Sequence, residues 1–227
     1  MADLFNVVFS GSLPTSFSSV NTGGNTFNFS GPNAYGAHFR NNSTDGSNIL
    51  GIYVNSGFQV QSSPGRVYEC SFVSNSLYTQ DGRGYWLAIQ LATGLDMNNI
   101  TTFGIRRDQT AGISAVMEGG LSVSDPFDAI YFQYTKDAIY TGRIIMQGDG
   151  TAKAYVEGPG TGGQLLLGSS YISTAPQALW PAGTDVFMST NSFKSWTSGG
   201  GGLEVNNFRV YDPTGSDGEN LLVLGHL

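Results

Sequence analysis

The stretch that decides the fold most clearly is residues 140–157, with the sequence YTGRIIMQGDGTAKAYVE. Two stretches with strand character, 140–147 and 151–157, flank the short loop Gly148-Asp149-Gly150. A short glycine-containing loop between two such stretches is typical of a β-hairpin. We therefore expect the two stretches to pair as antiparallel strands.

The rest of the chain repeats this pattern of short alternating stretches separated by turn residues such as Asp45-Gly46 and Pro64-Gly65. Nowhere do apolar residues recur at helical spacing over the length of a helix. So many short strands cannot lie in one open sheet without curling or splitting. The sequence predicts an all-β, antiparallel two-sheet jelly-roll sandwich. The predicted strands are 4–9, 26–30, 34–40, 49–54, 58–61, 67–74, 84–92, 101–107, 112–118, 129–134, 138–147, 151–157, 164–168, 185–190 and 203–211.

Length and composition favour one domain with a nearly uncharged surface. The chain has 227 residues, of which 40% are hydrophobic and only 12% are charged. A typical soluble domain carries about twice that charged fraction. We expect a single jelly-roll domain over residues 1–212, followed by a loop and an apolar tail over residues 213–227. A surface rich in Ser, Thr, Asn and Gly suits neutral, hydroxyl-rich ligands or repetitive protein contacts.

The net charge of −7 argues against nucleic acid and membrane surfaces as partners. Binding to phosphates or to anionic lipids depends on clustered Lys and Arg, which this chain lacks. No apolar run approaches the roughly 18 residues of a membrane span. The first residues do not match a secretory signal peptide. We expect a chain made without a Sec signal, located on a virion or an extracellular surface.

Several segments together resemble the concanavalin A-like lectin/glucanase jelly roll. They are Phe27-Asn28-Phe29-Ser30, residues 34–40, the hairpin described above, residues 185–189 and the closing stretch 203–212. The closing stretch carries the strongest likeness, since Val205-Asn206-Asn207-Phe208-Arg209-Val210 is similar to the last strand of many members. The resemblance implies this fold over about residues 4–212. It specifies a fold more than an activity.

The closing strand contains a slip in its alternation. Leu203 and Val205 are followed by Phe208 and Val210, so the apolar positions change parity at Asn206-Asn207. An unbroken strand would therefore turn half of these side chains to solvent. We predict a β-bulge at Asn206-Asn207.

The pattern of acidic residues argues against a glycosidase. Glucanases of the resembled superfamily carry their acids on alternate residues of one strand, so that both carboxylates reach the same face. Here the only acids two residues apart are Asp217 and Glu219, in the tail. The strand acids are each isolated: Glu69, Glu118, Glu157 and Glu204. We assign no catalytic residue.

The alternative activity is that of a polysaccharide lyase, which uses Tyr or His as a base and Arg with an amide to neutralise a uronate. The chain contains residues of the right types without the sequence motifs of such enzymes. They are His38, Gln90, Arg106, Arg107, Tyr131 and Tyr134.

No cofactor is expected. Cys70 is the only cysteine, which excludes an intrachain disulfide and a cysteine-based zinc site, and its alternating surroundings are typical of a core residue. Calcium is common on lectin-like jelly rolls. The loop acids Asp45, Asp81, Asp96 and Asp149 lack calcium-loop spacing and are typical of turns. We assign no metal ligand.

The candidate ligand-binding residues are aromatic and planar polar side chains on strand faces opposite the expected core. Taking Leu87, Ile89 and Leu91 as core turns Trp86 and Gln90 outward. The same reasoning on the other strands adds Arg106, Tyr131, Gln133 and Tyr155. An aromatic ring flanked by amides and a guanidinium can stack on a sugar ring and hydrogen-bond its hydroxyls. Alternatively, loops cover these side chains, and they form a second small core.

These observations favour a non-catalytic, lectin-like glycan-binding or structural module on a virion surface, such as a phage capsid or tail accessory protein. The expected partners are a glycan or polysaccharide, other virion or surface subunits, and further copies of the chain. The segment Leu221–Leu227 is too apolar to remain in water, so we expect it to be buried against other protein surface. It is either the last strand of its own sandwich or an addition to a neighbouring subunit's sheet edge, and the sequence favours the second.

Overall fold

The computed structural model describes residues 3–21, 26–40, 50–74, 84–93, 102–107, 116–121, 132–169, 171–172, 175–176, 180–195 and 202–213. Within these ranges the chain forms two eight-stranded antiparallel sheets around one hydrophobic core. The predicted all-β, two-sheet sandwich is confirmed. The described residues contain no helix long and apolar enough to cross a membrane.

The strands are numbered in chain order through both sheets. The first sheet contains β1 (Asp3–Val8), β3 (Thr26–Asn28), β4 (Ala37–Arg40), β7 (Val67–Ser74), β12 (Ile139–Met146), β13 (Ala152–Glu157), β14 (Gln164–Ser169) and β18 (Gly202–Tyr211). Their order across the sheet is β14-β13-β12-β7-β18-β4-β3, and β1 pairs with β18.

The second sheet contains β2 (Phe17–Asn21), β5 (Leu50–Val54), β6 (Val60–Gln61), β8 (Gly84–Ala92), β9 (Thr102–Arg107), β10 (Val116–Leu121), β11 (Phe132–Gln133) and β17 (Asp185–Ser195). Their order is β11-β10-β9-β8-β17-β5-β2, and β6 pairs with β17. Two short strands, β15 (Tyr171–Ile172) and β16 (Ala175–Pro176), pair with each other.

The hairpin predicted at residues 140–157 is present. β12 and β13 pair antiparallel, with Ile144 opposite Ala154. In the connecting turn, Gly150 has a φ of 84°, a left-handed conformation that favours glycine. The Asp149 carboxylate accepts hydrogen bonds from the N–H and the hydroxyl of Thr151, and these bonds lower the pKa of Asp149 below its usual value.

The bulge predicted in the closing strand is also present. Along the pairing of β18 with β7, Val205 lies opposite Phe72 and Asn207 opposite Ser71, so Asn206 is an extra residue. The Oδ1 atom of Asn207 accepts a hydrogen bond from the Ser71 N–H at 3.2 Å. Apolar residues on both sides of the bulge reach the core: Leu203, Val205, Phe208 and Val210.

A second bulge, which was not predicted, lies in the middle of β8. Gln90 lies opposite Ser189 of β17 and Leu87 lies opposite Asn191, so two residues of β8 face the single residue Thr190. The pairing of β8 with β9 shifts at the same place, between Leu87 and Ile89. Ala88 is therefore an extra residue.

The core supplies hydrogen-bond donors to the carbonyl groups of this bulge. The Thr190 hydroxyl donates to the carbonyl oxygen of Leu87 at 2.9 Å. The Cys70 thiol, from the first sheet, donates to the carbonyl oxygen of Ala88 at 3.4 Å. Burial raises the pKa of Cys70 well above its usual value, so the thiol keeps its proton. This confirms Cys70 as a core residue and links the two sheets at the bulge.

The β8 bulge shows that the predicted outward orientation of Trp86 is wrong. Trp86 is 1% exposed and belongs to the core. Its ring centroid lies 5.7 Å from that of Phe72 and 6.0 Å from that of Tyr134. The prediction assumed unbroken alternation from Tyr85 to Leu91, whereas the extra Ala88 places Trp86 and Ile89 on the same side.

We predict that deleting Asn206 abolishes cooperative unfolding. Without the extra residue, two of the four flanking apolar side chains must leave the core, and each is worth roughly 1.5–3 kcal/mol. The control is Asn206→Ala, which keeps the residue count and removes the side-chain hydrogen bond to the Tyr35 carbonyl at 2.7 Å. It should cost about 1 kcal/mol in urea denaturation. Equal stability of the two variants would contradict this account.

We also predict that Trp86→Ala lowers the free energy of unfolding by about 3–5 kcal/mol, because it opens a cavity in the core. Tyr155→Ala, which changes a half-buried side chain outside the core cluster, should cost clearly less. Urea denaturation of both variants provides the comparison. A Trp86→Ala variant as stable as the parent chain would show that Trp86 lies outside the core.

Candidate functional site

A row of register partners crosses the outer face of the second sheet, which is the face turned away from the core. We call it the central row. Neighbouring residues of the row are paired in register, and on β5, β8 and β9 they alternate with core residues such as Leu91 and Ile52. The row consists of Gly120, Gly104, Gln90, Ser189, Tyr53 and Ser18, on β10, β9, β8, β17, β5 and β2.

The middle of this face holds a cluster of neutral polar side chains, which we call the amide cluster: Gln90, Ser189 and Asn191. The Oε1 atom of Gln90 accepts hydrogen bonds from the Ser189 hydroxyl at 3.1 Å and from the Asn191 Nδ2 at 2.5 Å. The Asn191 Nδ2 also donates to the Ser189 Oγ at 3.2 Å. All three side chains are buried.

One acceptor in the amide cluster has no partner. The Oδ1 atom of Asn191 is buried and receives no hydrogen bond from the residues that the structure describes. A buried acceptor of this kind is uncommon in folded proteins and is normally satisfied by a water molecule or a ligand. A sugar hydroxyl, directly or through a bridging water, has the required chemistry.

Two glycines flank the amide cluster for reasons of backbone geometry. A Cβ on Gly51 would lie 2.6 Å from the Thr190 carbonyl oxygen, and a Cβ on Gly104 would lie 2.5 Å from the Ile89 carbonyl oxygen. Side chains are therefore excluded at both positions. The amide cluster is therefore bordered on β5 and on β9 by glycines, which present backbone without a side chain.

Tyr53 supplies an aromatic ring next to the amide cluster. It is the register partner of Ser189 and is half-buried. Beyond it, the Ser18 hydroxyl donates to the Asn55 Oδ1 at 2.5 Å. The sequence analysis assigned no function to Tyr53, Ser189 or Asn191. Tyr53 alternates with the apolar residues Ile52 and Val54, and this pattern could have predicted that Tyr53 lies on the face turned away from the core.

Three of the six predicted ligand-binding residues lie on this outer face. Gln90 is part of the amide cluster. Gln133 is exposed and alternates with the core residues Phe132 and Tyr134. Position 106 follows the core residue Ile105 on β9, so alternation assigns Arg106 to this face. Tyr131 falls outside the residues that the structure describes.

The remaining two do not lie on this face. Trp86 is in the core, as shown above. Tyr155 alternates with the core residues Ala154 and Val156, so it lies on the outer face of the first sheet. Burial raises the pKa of its phenol above the usual value. Trp86 and Tyr155, both predicted to bind the ligand, therefore do not share a face with Gln90.

Three of the four strand acids that are isolated in the sequence have structural partners: Glu69, Glu157 and Glu204. The Glu69 carboxylate accepts a hydrogen bond from the Arg143 Nε at 2.7 Å, and Arg143 also pairs with Glu157. The Glu204 carboxylate is fully buried and accepts hydrogen bonds from the N–H groups of Asn33 and Tyr35 at 2.9 and 2.8 Å. These contacts fix strands and a loop of the first sheet.

In the described part of the second sheet, the acidic positions of the outer face are too far apart for glycosidase chemistry. Backbone register and alternation assign two described acidic positions to this face, 118 on β10 and 185 on β17. They are separated by three strand spacings and six residues along β17, or about 24 Å. Inverting glycosidases place their two carboxylates roughly 6.5–9.5 Å apart, and retaining ones closer.

The residues considered for lyase chemistry are dispersed. His38 alternates with the core residues Ala37 and Phe39 of the first sheet. Tyr134 is in the core and accepts a hydrogen bond from the Ser74 hydroxyl at 3.1 Å. Gln90 is on the outer face of the second sheet. Within the described part of the chain, no group of three His, Cys, Asp or Glu side chains could hold a metal ion.

No protein-family model and no curated protein matches this chain in sequence. Solved structures do match its fold. An endo-1,3-β-glucanase from Streptomyces sioyaensis has a TM-score of 0.60 at 13% identity, covering 92% of this chain and 95% of that one. The carbohydrate recognition domain of Emp46p has a TM-score of 0.59 at 10% identity, covering 88% and 89%.

Winged bean acidic lectin, solved with methyl-α-D-galactose, has a TM-score of 0.56 at 10% identity, covering 91% of this chain and 96% of the lectin. Identities this low show the fold alone. They confirm the resemblance seen in the sequence at that level: this chain has the concanavalin A-like jelly-roll fold.

Proposed function

We propose that this protein is a non-catalytic, lectin-like glycan-binding module whose site is the outer face of the second sheet. The observation that carries the proposal is the amide cluster with its unpartnered Asn191 Oδ1, beside the half-buried ring of Tyr53. Amide and hydroxyl groups match sugar hydroxyls, and an aromatic ring matches the apolar face of a sugar.

Two further observations support a neutral glycan. The charged fraction of the chain is only 12%, and the amide cluster itself contains no ionisable group. The lectin and the carbohydrate recognition domain that share the fold are described as carbohydrate-binding proteins, which makes this ligand class a reasonable one for the fold.

The proposal includes display of the module on a virion or an extracellular surface, together with other subunits. This part depends on the sequence alone and stays a prediction. A purified virion or cell-surface fraction probed with an antibody against the chain would test it.

We predict that Tyr53→Ala weakens glycan binding by about fivefold, because loss of a stacking ring costs about 1 kcal/mol. A glycan array identifies the ligand, and calorimetry measures its dissociation constant. The matched control is Tyr155→Ala, which removes the same half-buried side chain from the outer face of the first sheet. If only the Tyr155→Ala variant binds more weakly, the site lies on the first sheet and the proposal is wrong.

We further predict that the protein leaves its bound glycan intact. Incubation with the bound polysaccharide should release neither new reducing ends, as a hydrolase would, nor unsaturated products, as a lyase would. The wide separation of Glu118 and Asp185 is the physical reason. Appearance of either product at a rate that scales with protein concentration would contradict the non-catalytic role.

A further inference from the structure

We infer that Phe187 is a second sugar-binding residue, and that the site takes a chain of three linked sugar units laid along β17. The inference rests on the proposed function, because it specifies the length and the direction of the glycan on the same face. The apolar tail has no part in it, because residues 214–227 lie outside the described part of the structure and their predicted burial stays a prediction.

Phe187 lies on the outer face of the second sheet, on the same strand as Ser189. Its neighbours along the chain are the core residues Val186 and Met188. The pairing of β17 with β8 is unbroken between Phe187 and Ser189. Alternation therefore turns Phe187 to the face that carries the amide cluster.

The ring of Phe187 is held in place and is still partly exposed. It packs against the core cluster without belonging to it, and it is half-buried. Its register partner on β8 is Ala92, a small buried residue that also lies outside the core cluster. An aromatic ring that is already fixed by packing can stack on the apolar face of a sugar at little cost in conformational entropy.

Three outward-facing side chains follow one another along β17: Phe187, Ser189 and Asn191. Successive positions on one face of a strand are about 6.6 Å apart, so about 13 Å separates Phe187 from Asn191. A single sugar ring is shorter than this distance. Only a chain of linked sugar units can contact both residues.

Each of the three positions offers a contact to a separate sugar unit. The ring of Phe187 serves the first unit, and the ring of Tyr53, beside Ser189, serves the second. The two rings are diagonal neighbours on adjacent strands, a distance of about 7–8 Å that suits the stacking of two successive units. The Asn191 Oδ1, which is buried and receives no hydrogen bond from the described residues, accepts one from a hydroxyl of the third unit, directly or through a water molecule.

The side chains favour a glycan along β17 over a glycan across the strands. Across the sheet, the central row continues on one side into Gly104 and Gly120, which offer no side chain. On the other side it ends at Ser18, whose hydroxyl already donates a hydrogen bond to Asn55. Along β17, three successive positions carry a ring, a hydroxyl and an amide. The groups that can bind a sugar are therefore aligned with the strand.

The test measures how binding depends on the length of the glycan. The probes are linear neutral oligosaccharides of one to six units, in glucose, galactose, mannose and xylose series, printed on one array. Calorimetry then compares the one-unit and three-unit members of the series that binds best. The parent chain should bind three units at least about tenfold more tightly than one, because one further stacking contact and one further hydrogen bond are made.

Two substitutions of Phe187 separate stacking from packing. Phe187→Leu keeps an apolar side chain against the core and removes the aromatic ring. It should weaken binding of the three-unit ligand by about fivefold and leave binding of the one-unit ligand unchanged, which also shows that the variant is folded. Phe187→Tyr keeps a ring and should bind both ligands like the parent chain. The matched control, Ser18→Ala, changes the end of the central row and should also bind like the parent chain.

The outcomes distinguish this inference from the proposed function. Equal binding of one and three units by the parent chain, or an unchanged affinity of Phe187→Leu for three units, would overturn the inference alone if Tyr53→Ala still weakens binding. Weaker binding by Ser18→Ala, with none by Phe187→Leu, would assign a path across the strands and would also overturn it. Binding to none of the neutral oligosaccharides would overturn the proposed function and the inference together.

Discussion

In two central strands, β8 and β18, one extra residue resets the alternation of side chains. This reset decides which side chains face the core. In β18, Asn206 resets the alternation so that apolar residues on both sides of it are buried. In β8, Ala88 does the same between Trp86 and Ile89. The carbonyl groups freed at the β8 bulge are satisfied by Thr190 from the neighbouring strand and by Cys70 from the opposite sheet. A one-residue slip at either place would turn core side chains outward.

The candidate site follows from the β8 bulge. Because the alternation is reset at Ala88, Gln90 lies on the outer face while Trp86 is in the core, and Gln90 accepts hydrogen bonds there from Ser189 and Asn191. The same reset buries Trp86, so that the aromatic ring beside the amide cluster is Tyr53. The bulge carbonyl of Ile89 also excludes a side chain at position 104. Core packing and the chemistry of the outer face thus depend on a single inserted residue.

The two bulges differ in how visible they are in the sequence. In the closing strand, the polar pair Asn206-Asn207 separates two apolar pairs of opposite parity, so the slip can be predicted. In β8, residues 85–89 are all apolar, and a change of parity leaves no trace in such a run. Physical reasoning on the sequence therefore predicted the orientation of Gln90 and failed for Trp86.

It is harder to predict which sheet a strand joins than to predict which of its side chains face the core. Tyr155 was correctly expected on the side of β13 opposite the core. Its sheet is set by the pairing of β12 with β7, and that of Gln90 by the pairing of β8 with β17, which is distant in the chain. Alternation within a strand carries no information about such long-range pairing. For the same reason, Ser189 and Asn191 could not be associated with Gln90 beforehand.

The central claim is that glycans bind at the amide cluster on the outer face of the second sheet. The most direct measurement is an amide NMR titration with a glycan selected by array. The side-chain amide resonances of Gln90 and Asn191 should shift with increasing glycan, and those of Asn206 and Gln147, which lie on the first sheet and in the β12–β13 turn, should not. Shifts at Asn206 or Gln147 with none at Gln90 and Asn191 would contradict the account.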